Sequence, residues 1–427
     1  MRFKSQIYSR REFLRSGLLL TAAAGTAPSF LARTCLAVED SAELSSLPGV
    51  PDDHILVVIQ LSGGNDGLNT IIPYADDAYY RYRPTLALAQ NERIRLDDRL
   101  AVHRALQPLQ SVFDEGELTW VQGVGYPNPN RSHFRSMEIW QTASDAREVL
   151  RAGWIGRFFD NTCQGAQPPS AVTIGREMPQ ALQTQDGHLM GIALSRAEHF
   201  AWANPGLTTT HQRRQRELMD FLNQSFPEPA DDTINYLQRT ALQAIESSDV
   251  IAAADRSYRS NVDYPNTRFG HDLQLISKLI AGGVRGRVFY ASIGGFDTHA
   301  NQAGMHTRLL TQVAEGLAAF RRDLIRQRQW DRVAVLGFSE FGRRVDENGS
   351  QGTDHGAAAP MFVMGKAFRG GLIGEHPSLD DLGASDLKYA IDFRSVYASV
   401  LEHWLGAPHE QVLGRSFPLL DLLRSPG

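Results

Sequence analysis

The sequence predicts an α/β fold, a three-layer sandwich in which helices cover both faces of a mostly parallel central sheet. Short apolar runs of strand length alternate with segments of helical periodicity, and this alternation is typical of such sandwiches. Glycine-rich loops with carboxylates and histidines follow several of the runs, as expected at the carboxyl ends of parallel strands. Of the 427 residues, 42% are hydrophobic and 21% are charged, which is the ordinary globular range.

The first predicted strand, at 55–59, is apolar at every position, as a buried parallel strand is, and runs into Ser-Gly-Gly-Asn-Asp-Gly at 62–67. Apolar residues at helical spacing precede two later strands, so that helix and strand alternate along the chain. The further predicted elements are a helix over 273–280, a strand at 288–293, a helix over 309–324, and strands at 333–338 and 360–365.

The predicted organisation consists of a leader, a linker and one large domain. Residues 1–37 form a signal peptide, 38–54 form a linker without periodicity, and 55–427 form the α/β domain. Within the domain, residues at about 205–255 combine helical periodicity with a heavily charged stretch. We expect a helical insertion there, which either covers part of the sheet or acts as a lid.

The leader has the pattern of a twin-arginine export signal. The paired residues Arg10 and Arg11 precede an apolar run at 17–24, and Cys-Leu-Ala at 35–37 offers a cleavage site. This pattern predicts the twin-arginine translocation machinery as a partner and a periplasmic or extracellular location. Because that route moves chains that have already folded, often around a metal or cofactor, it also favours a metalloprotein.

Charge and composition argue against several classes of protein. The formal net charge of −5 gives no reason to expect nucleic-acid binding. After the leader, no apolar stretch approaches the roughly 20 residues that span a bilayer, so no transmembrane span is expected in the mature chain. The cysteines are Cys35, which is expected to leave with the leader, and Cys163, so the mature chain is expected to form no internal disulfide.

Four loops are dense in groups that bind metals or anions. Their carboxylates and imidazoles are the ligands of Zn²⁺, Mn²⁺ and related divalent ions, and the glycines beside them permit tight turns. Each motif alone is compatible with a plain turn, but their joint occurrence after successive strands favours a metal site. The loops span 63–69, 130–138, 294–302 and 339–356, and the candidate ligands are Asp66, Asp297, His299, Glu340, Asp354 and His355.

The loop at 130–138 adds candidate residues for chemistry. Ser132 opens a predicted helix whose amino terminus suits an anion, although a serine at this position could merely cap the helix. His133 is either a ligand or general acid beside Ser132, or a histidine packed against Trp140. Candidate contacts to the substrate are Asn65 and the arginines Arg131, Arg135 and Arg343, each of which could also be a solvated surface residue.

Together these motifs resemble the large bacterial family known as domain of unknown function 1501, over nearly the whole chain. That family looks like a branch of the alkaline phosphatase and sulfatase superfamily. The resemblance implies an alkaline phosphatase-like fold, divalent metal ions (Zn, Mn, Mg or Ca) and action on phosphate or sulfate esters. The matching stretches are the leader, Leu-Ser-Gly-Gly-Asn-Asp-Gly-Leu-Asn at 61–69, the stretch at 132–141 that begins with Ser-His-Phe and ends with Trp-Gln, Gly-Gly-Phe-Asp-Thr-His at 294–299, Ser-Glu-Phe-Gly-Arg at 339–343 and Thr-Asp-His-Gly at 353–356.

The resemblance also implies roles for single residues. Ser132 occupies the position of the nucleophile, and Asp297 with His299 resembles the pair that holds one metal. Glu340 stands where the superfamily usually has Asp-His, so one expected histidine is absent. The formylglycine sulfatase signature, Cys or Ser followed by x-Pro-x-Arg, does not occur, so that chemistry is not expected. The remaining positions are Asp66, as the first metal carboxylate, and His355, as the last metal histidine.

Two hypotheses about function follow from the sequence. The first is an exported, metal-dependent hydrolase or transferase that acts on a phosphate, sulfate or related ester of a small molecule or glycan. The alternative is a non-catalytic envelope protein that keeps the fold and binds a glycan or a partner protein. Bound metal together with ester turnover distinguishes the first from the second.

Replacing both Arg10 and Arg11 with lysine is expected to keep the precursor in the cytoplasm, because the export machinery reads the paired arginines. In the wild type, the mature chain is expected to begin near Val38. Cell fractionation and N-terminal sequencing test both expectations. Normal export of the double variant would contradict the twin-arginine assignment.

Overall fold

The computed structural model describes residues 53–162, 171–175, 177–187, 190–194, 254, 258–284, 286–384 and 386–424. The predicted signal peptide at 1–37 lies outside this part of the chain, as does all of the predicted linker at 38–54 except its last two residues. The predicted insertion at about 205–255 also lies outside it, apart from residue 254. Cys35 and Cys163 are likewise outside the described residues.

The described residues form fourteen strands and eight α-helices. The strands are β1 (Ile55–Ser62), β2 (Ile71–Ile72), β3 (Arg93–Arg95), β4 (Ala101–His103), β5 (Leu118–Gly125), β6 (Ala171–Ile174), β7 (Ile192–Leu194), β8 (Val288–Gly294), β9 (Val333–Phe338), β10 (Ala359–Met364), β11 (Gly371–Ile373), β12 (Leu382–Gly383), β13 (Asp386–Leu387) and β14 (Ile391–Asp392). The helices are α1 (Asp77–Tyr82), α2 (Gln110–Asp114), α3 (His133–Thr142), α4 (Trp154–Thr162), α5 (Arg268–Ala281), α6 (Gln302–Arg326), α7 (Phe393–Val400) and α8 (His409–Leu413).

The short helical turns complete the described elements. Four of them are 3₁₀-helices, and a π-helical turn continues α7. Their bounds are Gln90–Glu92, Arg104–Leu109, Gln180–Leu182 and Trp330–Arg332 for the 3₁₀-helices and Leu401–Leu405 for the π-helical turn. No helix in the described parts of the chain is both long and apolar enough to cross a membrane.

Nine strands of the described residues form the central sheet, in the order β11-β5-β10-β9-β1-β8-β6-β7, with β14 also paired to β5. The three central strands β9, β1 and β8 are parallel neighbours, and β6 and β7 continue the parallel arrangement. β10 is antiparallel to both β5 and β9. The predicted mostly parallel sheet is therefore confirmed, and the strand predicted at 360–365 is its antiparallel member.

This topology brings the candidate loops to one edge of the sheet. The loops after β1, β8 and β9 leave the carboxyl ends of three adjacent parallel strands. Because β10 runs the other way, its amino end, and the loop that leads into it, lie at the same edge. β5 is antiparallel to β10 and thus ends at this edge too, and the segment after it leads into α3.

Helices cover both faces of the sheet, as a three-layer sandwich requires. Side chains of a strand point alternately to opposite faces. In β1, Ile55, Val57 and Ile59 pack into one apolar core with α5 and α6. Leu56 and Val58 pack into a second core with α3, α4 and α7. The continuous apolar run that predicted this strand therefore reflects burial on both sides.

A buried carboxylate ties α6 to the chain segment that precedes α5. Asp323 is fully buried and belongs to α6. Burial raises the pKa of Asp323, but hydrogen bonds from the surrounding hydroxyls outweigh this effect and bring the pKa below its usual value. The donors are Tyr258, Ser260, Tyr264, Ser277 and Gln327.

We expect Asp323→Asn to lower the free energy of unfolding by about 2 kcal/mol, because several hydrogen bonds lose their ionised acceptor. Since the native pKa of Asp323 lies below its unfolded value of about 4, this stabilisation is complete at neutral pH and is lost as pH falls through the native pKa. Urea unfolding of both proteins at several pH values measures it. The control Asp331→Asn removes an exposed pair with Lys366 and should change stability by less than about 1 kcal/mol. Equal effects of the two substitutions would contradict the expectation.

Candidate metal centre

The site begins with a close approach of two loops, which glycine makes possible. Gly63, just after β1, has a φ of +122°, and a Cβ at this position would lie 2.3 Å from the backbone nitrogen of Asp297. Its N–H donates to Oε1 of Glu340 over 2.8 Å. No residue with a side chain fits between these loops without displacing one of them. The glycine therefore holds the loops after β1, β8 and β9 together.

Three imidazoles surround the carboxylate of Asp297. Its Oδ1 lies 3.1 Å from Nε2 of His299 and 3.1 Å from Nε2 of His355. Its Oδ2 lies 3.4 Å from Nε2 of His133, and the Nε2 atoms of His299 and His355 are 2.9 Å apart. In the described residues, the ligand atoms of His133, Asp297 and His355 all lie within 4.8 Å of one another. We call these four residues the His/Asp cluster.

An acceptor outside the cluster holds the other ring nitrogen of each imidazole. Nδ1 of His133 lies 2.9 Å from Oε1 of Glu340. Nδ1 of His299 lies 3.0 Å from Oδ1 of Asp354, and Nδ1 of His355 lies 2.7 Å from the backbone oxygen of Arg131. Such acceptors keep the proton on Nδ1, so that the lone pair on Nε2 points into the cluster.

One of the inward nitrogens has no hydrogen bond to any described residue. Nε2 of His133 is buried, and its approach to Asp297 does not have hydrogen-bond geometry. A buried polar atom without a partner is uncommon in native proteins, and this one is free to bind a ligand or an ion. The donor set is that of a transition-metal site.

Asp297 and Asp354 are ionised at neutral pH. Burial raises the pKa of Asp297, but the hydrogen bond and positive charge of Arg343 are the main opposing effect and lower the pKa to about 2. The pKa of Asp354 is lowered mainly by its hydrogen bonds with His299 and Asn348. The inward side of the cluster therefore carries negative charge and lone pairs.

Glu340 contacts the His/Asp cluster through the outer ring nitrogen of His133. The residue is only 1% exposed, and Oε1 accepts the N–H of Gly63 in addition to facing His133. Its Oε2 accepts the hydroxyl of Ser339 over 3.3 Å. The structure thus places Glu340 and Asp354, both predicted as ligands, behind the imidazoles of the cluster. These positions are typical of the carboxylates that orient metal-bound histidines.

Asp66 has a different environment from the one we predicted. The residue is 1% exposed, and its carboxylate forms a bidentate ion pair with Arg83, with N···O distances of 2.7 and 3.2 Å. The side-chain amide of Gln302 also donates to it. Burial raises the pKa of Asp66, but the charge and hydrogen bonds of Arg83 outweigh this effect, so the pKa lies below its usual value. Both carboxylate oxygens of Asp66 are thus engaged by Arg83 and Gln302 rather than by a residue of the His/Asp cluster.

The residues predicted to contact the substrate also form hydrogen bonds or ion pairs within the protein. Arg343 is fully buried and donates to four backbone oxygens and to Asp297, so it braces the loops. Arg135 pairs with Glu138 and donates to three backbone oxygens of the following loop. Asn65 is buried and bonded to Thr70 and His306. In the structure these three side chains are therefore bonded to other parts of the protein. Arg131, which is half-exposed, pairs with Asp386.

The chain matches one family of proteins over most of its length. The family described as "Protein of unknown function (DUF1501)" matches residues 53–421. The chain belongs to the DUF1501 family. A comparison with curated proteins finds no match.

Several solved structures are similar to this DUF1501 chain in general arrangement. A sulfatase from Pseudoalteromonas sp. is 11% identical, with a TM-score of 0.37, and the match covers 86% of this chain and 70% of that one. A protein in the alkaline phosphatase superfamily from Vibrio parahaemolyticus is 10% identical, with a TM-score of 0.38 and coverage of 95% and 79%. A phosphonate monoester hydrolase from Silicibacter pomeroyi is 10% identical, with a TM-score of 0.33 and coverage of 85% and 77%. Scores this low do not bear on the activity of the DUF1501 chain.

Ser132 lies at the edge of the His/Asp cluster. It is the residue before α3, its backbone is extended, and its side chain makes no capping bond. The residue is exposed, and its neighbours on both sides contact the cluster: the backbone oxygen of Arg131 faces His355, and the ring of His133 faces Asp297. The ring of His133 contacts Phe341 and His355. Of the two alternatives for His133, the geometry favours the site.

The sequence did not predict two residues that support this DUF1501 site, Arg83 and Phe341. Arg83 binds Asp66 from 17 positions further along the chain, with no motif that joins them. The ring of Phe341 lies 4.5 Å from that of His355 and 4.9 Å from that of His133. The only signal for Phe341 was its place directly after Glu340 at the end of β9.

Proposed function

We propose that this DUF1501 chain is an exported, metal-dependent hydrolase or transferase that acts on phosphate, sulfate or related esters. The observation that carries the proposal is the convergence of three imidazole nitrogens on Asp297, each imidazole being held by an acceptor on its outer nitrogen. The paired-arginine leader supports the proposed export.

The residues present fit a single divalent metal ion. The ligand atoms of His133, Asp297 and His355 lie within 4.8 Å of one another, and Nε2 of His299 lies 3.1 Å from Asp297 and 2.9 Å from His355. In this proposal the four residues supply three nitrogens and one carboxylate, a set that suits Zn²⁺ or Mn²⁺ better than Mg²⁺ or Ca²⁺, which prefer oxygen. The unpartnered Nε2 of His133 is the atom that such an ion would satisfy. When bound, a divalent ion here supplies positive charge that neutralises an ester oxygen and lowers the pKa of a neighbouring hydroxyl.

Ser132 is the proposed nucleophile. Its hydroxyl is not used for capping, and it stands between two residues that contact the cluster. It also stands at the amino terminus of the ten-residue helix α3, whose first N–H groups are suited to binding an anion. In the reaction, the serine oxygen forms a bond to the phosphorus or sulfur atom while the bond to the ester alcohol breaks, and the proton of the serine hydroxyl passes to the departing alcohol oxygen. Water, or an acceptor alcohol in a transferase, then cleaves the bond to Ser132 and releases the group.

One observation favours the alternative, a protein that binds a glycan or a partner without catalysis. Phe134, directly after His133, is 91% exposed on α3. An exposed aromatic ring beside a site offers a surface on which a sugar ring or an apolar group packs. An active enzyme could use the same ring to bind its substrate, so bound metal together with turnover decides between the two functions.

We expect the exported protein to contain about one divalent ion per chain, and His355→Ala to remove most of it, because the variant loses an inward nitrogen. The matched control is His409→Ala, which removes an imidazole that also bonds a carboxylate, Glu402, outside the cluster. Elemental analysis after native purification measures metal content. Metal-free wild-type protein that is correctly folded would contradict metal dependence.

We expect Ser132→Ala to reduce turnover of aryl phosphate and aryl sulfate esters by about 10³-fold or more while metal content stays unchanged. Because the hydroxyl makes no capping bond, the free energy of unfolding should change by less than about 0.5 kcal/mol. Ser111→Ala, in α2, is the control, since Ser111 is an exposed serine of another helix. Full activity of Ser132→Ala would exclude the nucleophile.

A further inference from the structure

Gln302, the first residue of α6, connects three parts of the site through one side-chain amide. The residue is 0% exposed. Its Nε2 donates to Oδ2 of Asp66, and its Oε1 accepts the hydroxyls of Thr298, over 2.9 Å, and Thr353, over 2.6 Å. Its amide oxygen thus accepts two bonds, and its amide nitrogen is anchored to a buried carboxylate.

The two threonines belong to the two loops that carry the cluster. Thr298 lies between Asp297 and His299, and Thr353 lies two residues before His355. The backbone N–H of Thr353 also donates to the backbone oxygen of Thr298 over 3.2 Å. A shift of either threonine therefore moves a residue of the cluster by a similar distance. One amide oxygen, shared by both loops, fixes how far apart they lie.

The ion pair between Arg83 and Asp66 sets the orientation of the Gln302 amide. Arg83 binds Asp66 through both nitrogens of its guanidinium end and also donates to the backbone oxygen of Arg344 over 2.7 Å. Because Asp66 accepts only, the NH₂ side of Gln302 must face it, and the oxygen side must face the threonines. The ion pair, buried on both sides, is a rigid base for the amide.

We propose that Gln302 is a positioning residue of the proposed metal site: its amide, oriented by Asp66, holds the loops of Asp297, His299 and His355 at the separation that one metal ion requires. The inference rests on the proposed function, because it assumes that the cluster binds a metal. It assigns to Asp66 the role of an anchor. Groups that orient metal ligands change metal affinity by about 10- to 100-fold when they are removed.

The experiment compares Gln302→Leu with Gln327→Leu in the exported, full-length protein. Gln327 directly follows the same helix at its other end, and its amide donates to the buried carboxylate of Asp323 over 2.9 Å and to Ser277 over 3.1 Å. Each substitution thus removes an amide that donates to a buried aspartate. Affinity for Zn²⁺ alone is measured by competition with a chromophoric chelator, and Tm is measured in parallel.

Gln302→Leu is expected to weaken Zn²⁺ binding by about tenfold or more, with one ion still bound at saturation, whereas Gln327→Leu stays within about twofold of the wild type. Both are expected to lower Tm. Unchanged affinity of folded Gln302→Leu, or equal weakening by both variants, would overturn the proposal while leaving the metal site intact. Absence of Zn²⁺ binding to the wild type would instead overturn the proposed function, and this inference with it.

Two further variants keep the test decisive where Gln302→Leu does not fold. Thr298→Val and Thr353→Val preserve side-chain shape and each removes one hydroxyl from the amide oxygen. The double variant is expected to weaken Zn²⁺ binding by about tenfold, because neither loop is then tied to Gln302. Wild-type affinity in the double variant would overturn the positioning role.

Discussion

The carboxylate of Asp297 and the three imidazole nitrogens that face it are the interaction on which the rest of the site depends. Lone pairs and negative charge converge within about 3 Å, an arrangement that is unfavourable without a cation between them. Glu340, Asp354 and a backbone oxygen accept from the outer ring nitrogens, which directs the inner nitrogens of the imidazoles toward Asp297. This arrangement is the physical basis for the proposed metal.

The fold supplies the framework that keeps these groups in place. Three adjacent parallel strands end at one edge, and the loops that leave them meet because Gly63 lets the backbones approach. Arg343 then braces the loops through four backbone oxygens, and Gln302 ties two of them to Asp66. The buried guanidinium group of Arg83 and the amide of Gln302 therefore compensate the buried carboxylate of Asp66.

Elements with a strong local pattern could be predicted from the sequence, whereas the side-chain partners of the site residues could not. The apolar run at 333–338 became β9 with the same bounds, because a strand buried on both faces needs no pattern beyond its apolarity. β5 was missed, since Thr, Gln and Gly interrupt its apolar residues and it is defined by pairing with β10, β11 and β14. Asp66 and Asp297 have similar sequence surroundings, glycines included, yet Arg83 binds only the first. No local pattern in a single sequence predicts such tertiary contacts.

X-ray absorption spectroscopy of the natively exported protein, at the edge of the metal that it contains, tests the central claim most directly. The account predicts a first shell of three imidazole nitrogens and carboxylate oxygen at about 2.0–2.2 Å, and loss of one imidazole in His133→Ala. A shell of oxygen ligands alone, or one that His133→Ala leaves unchanged, would contradict it.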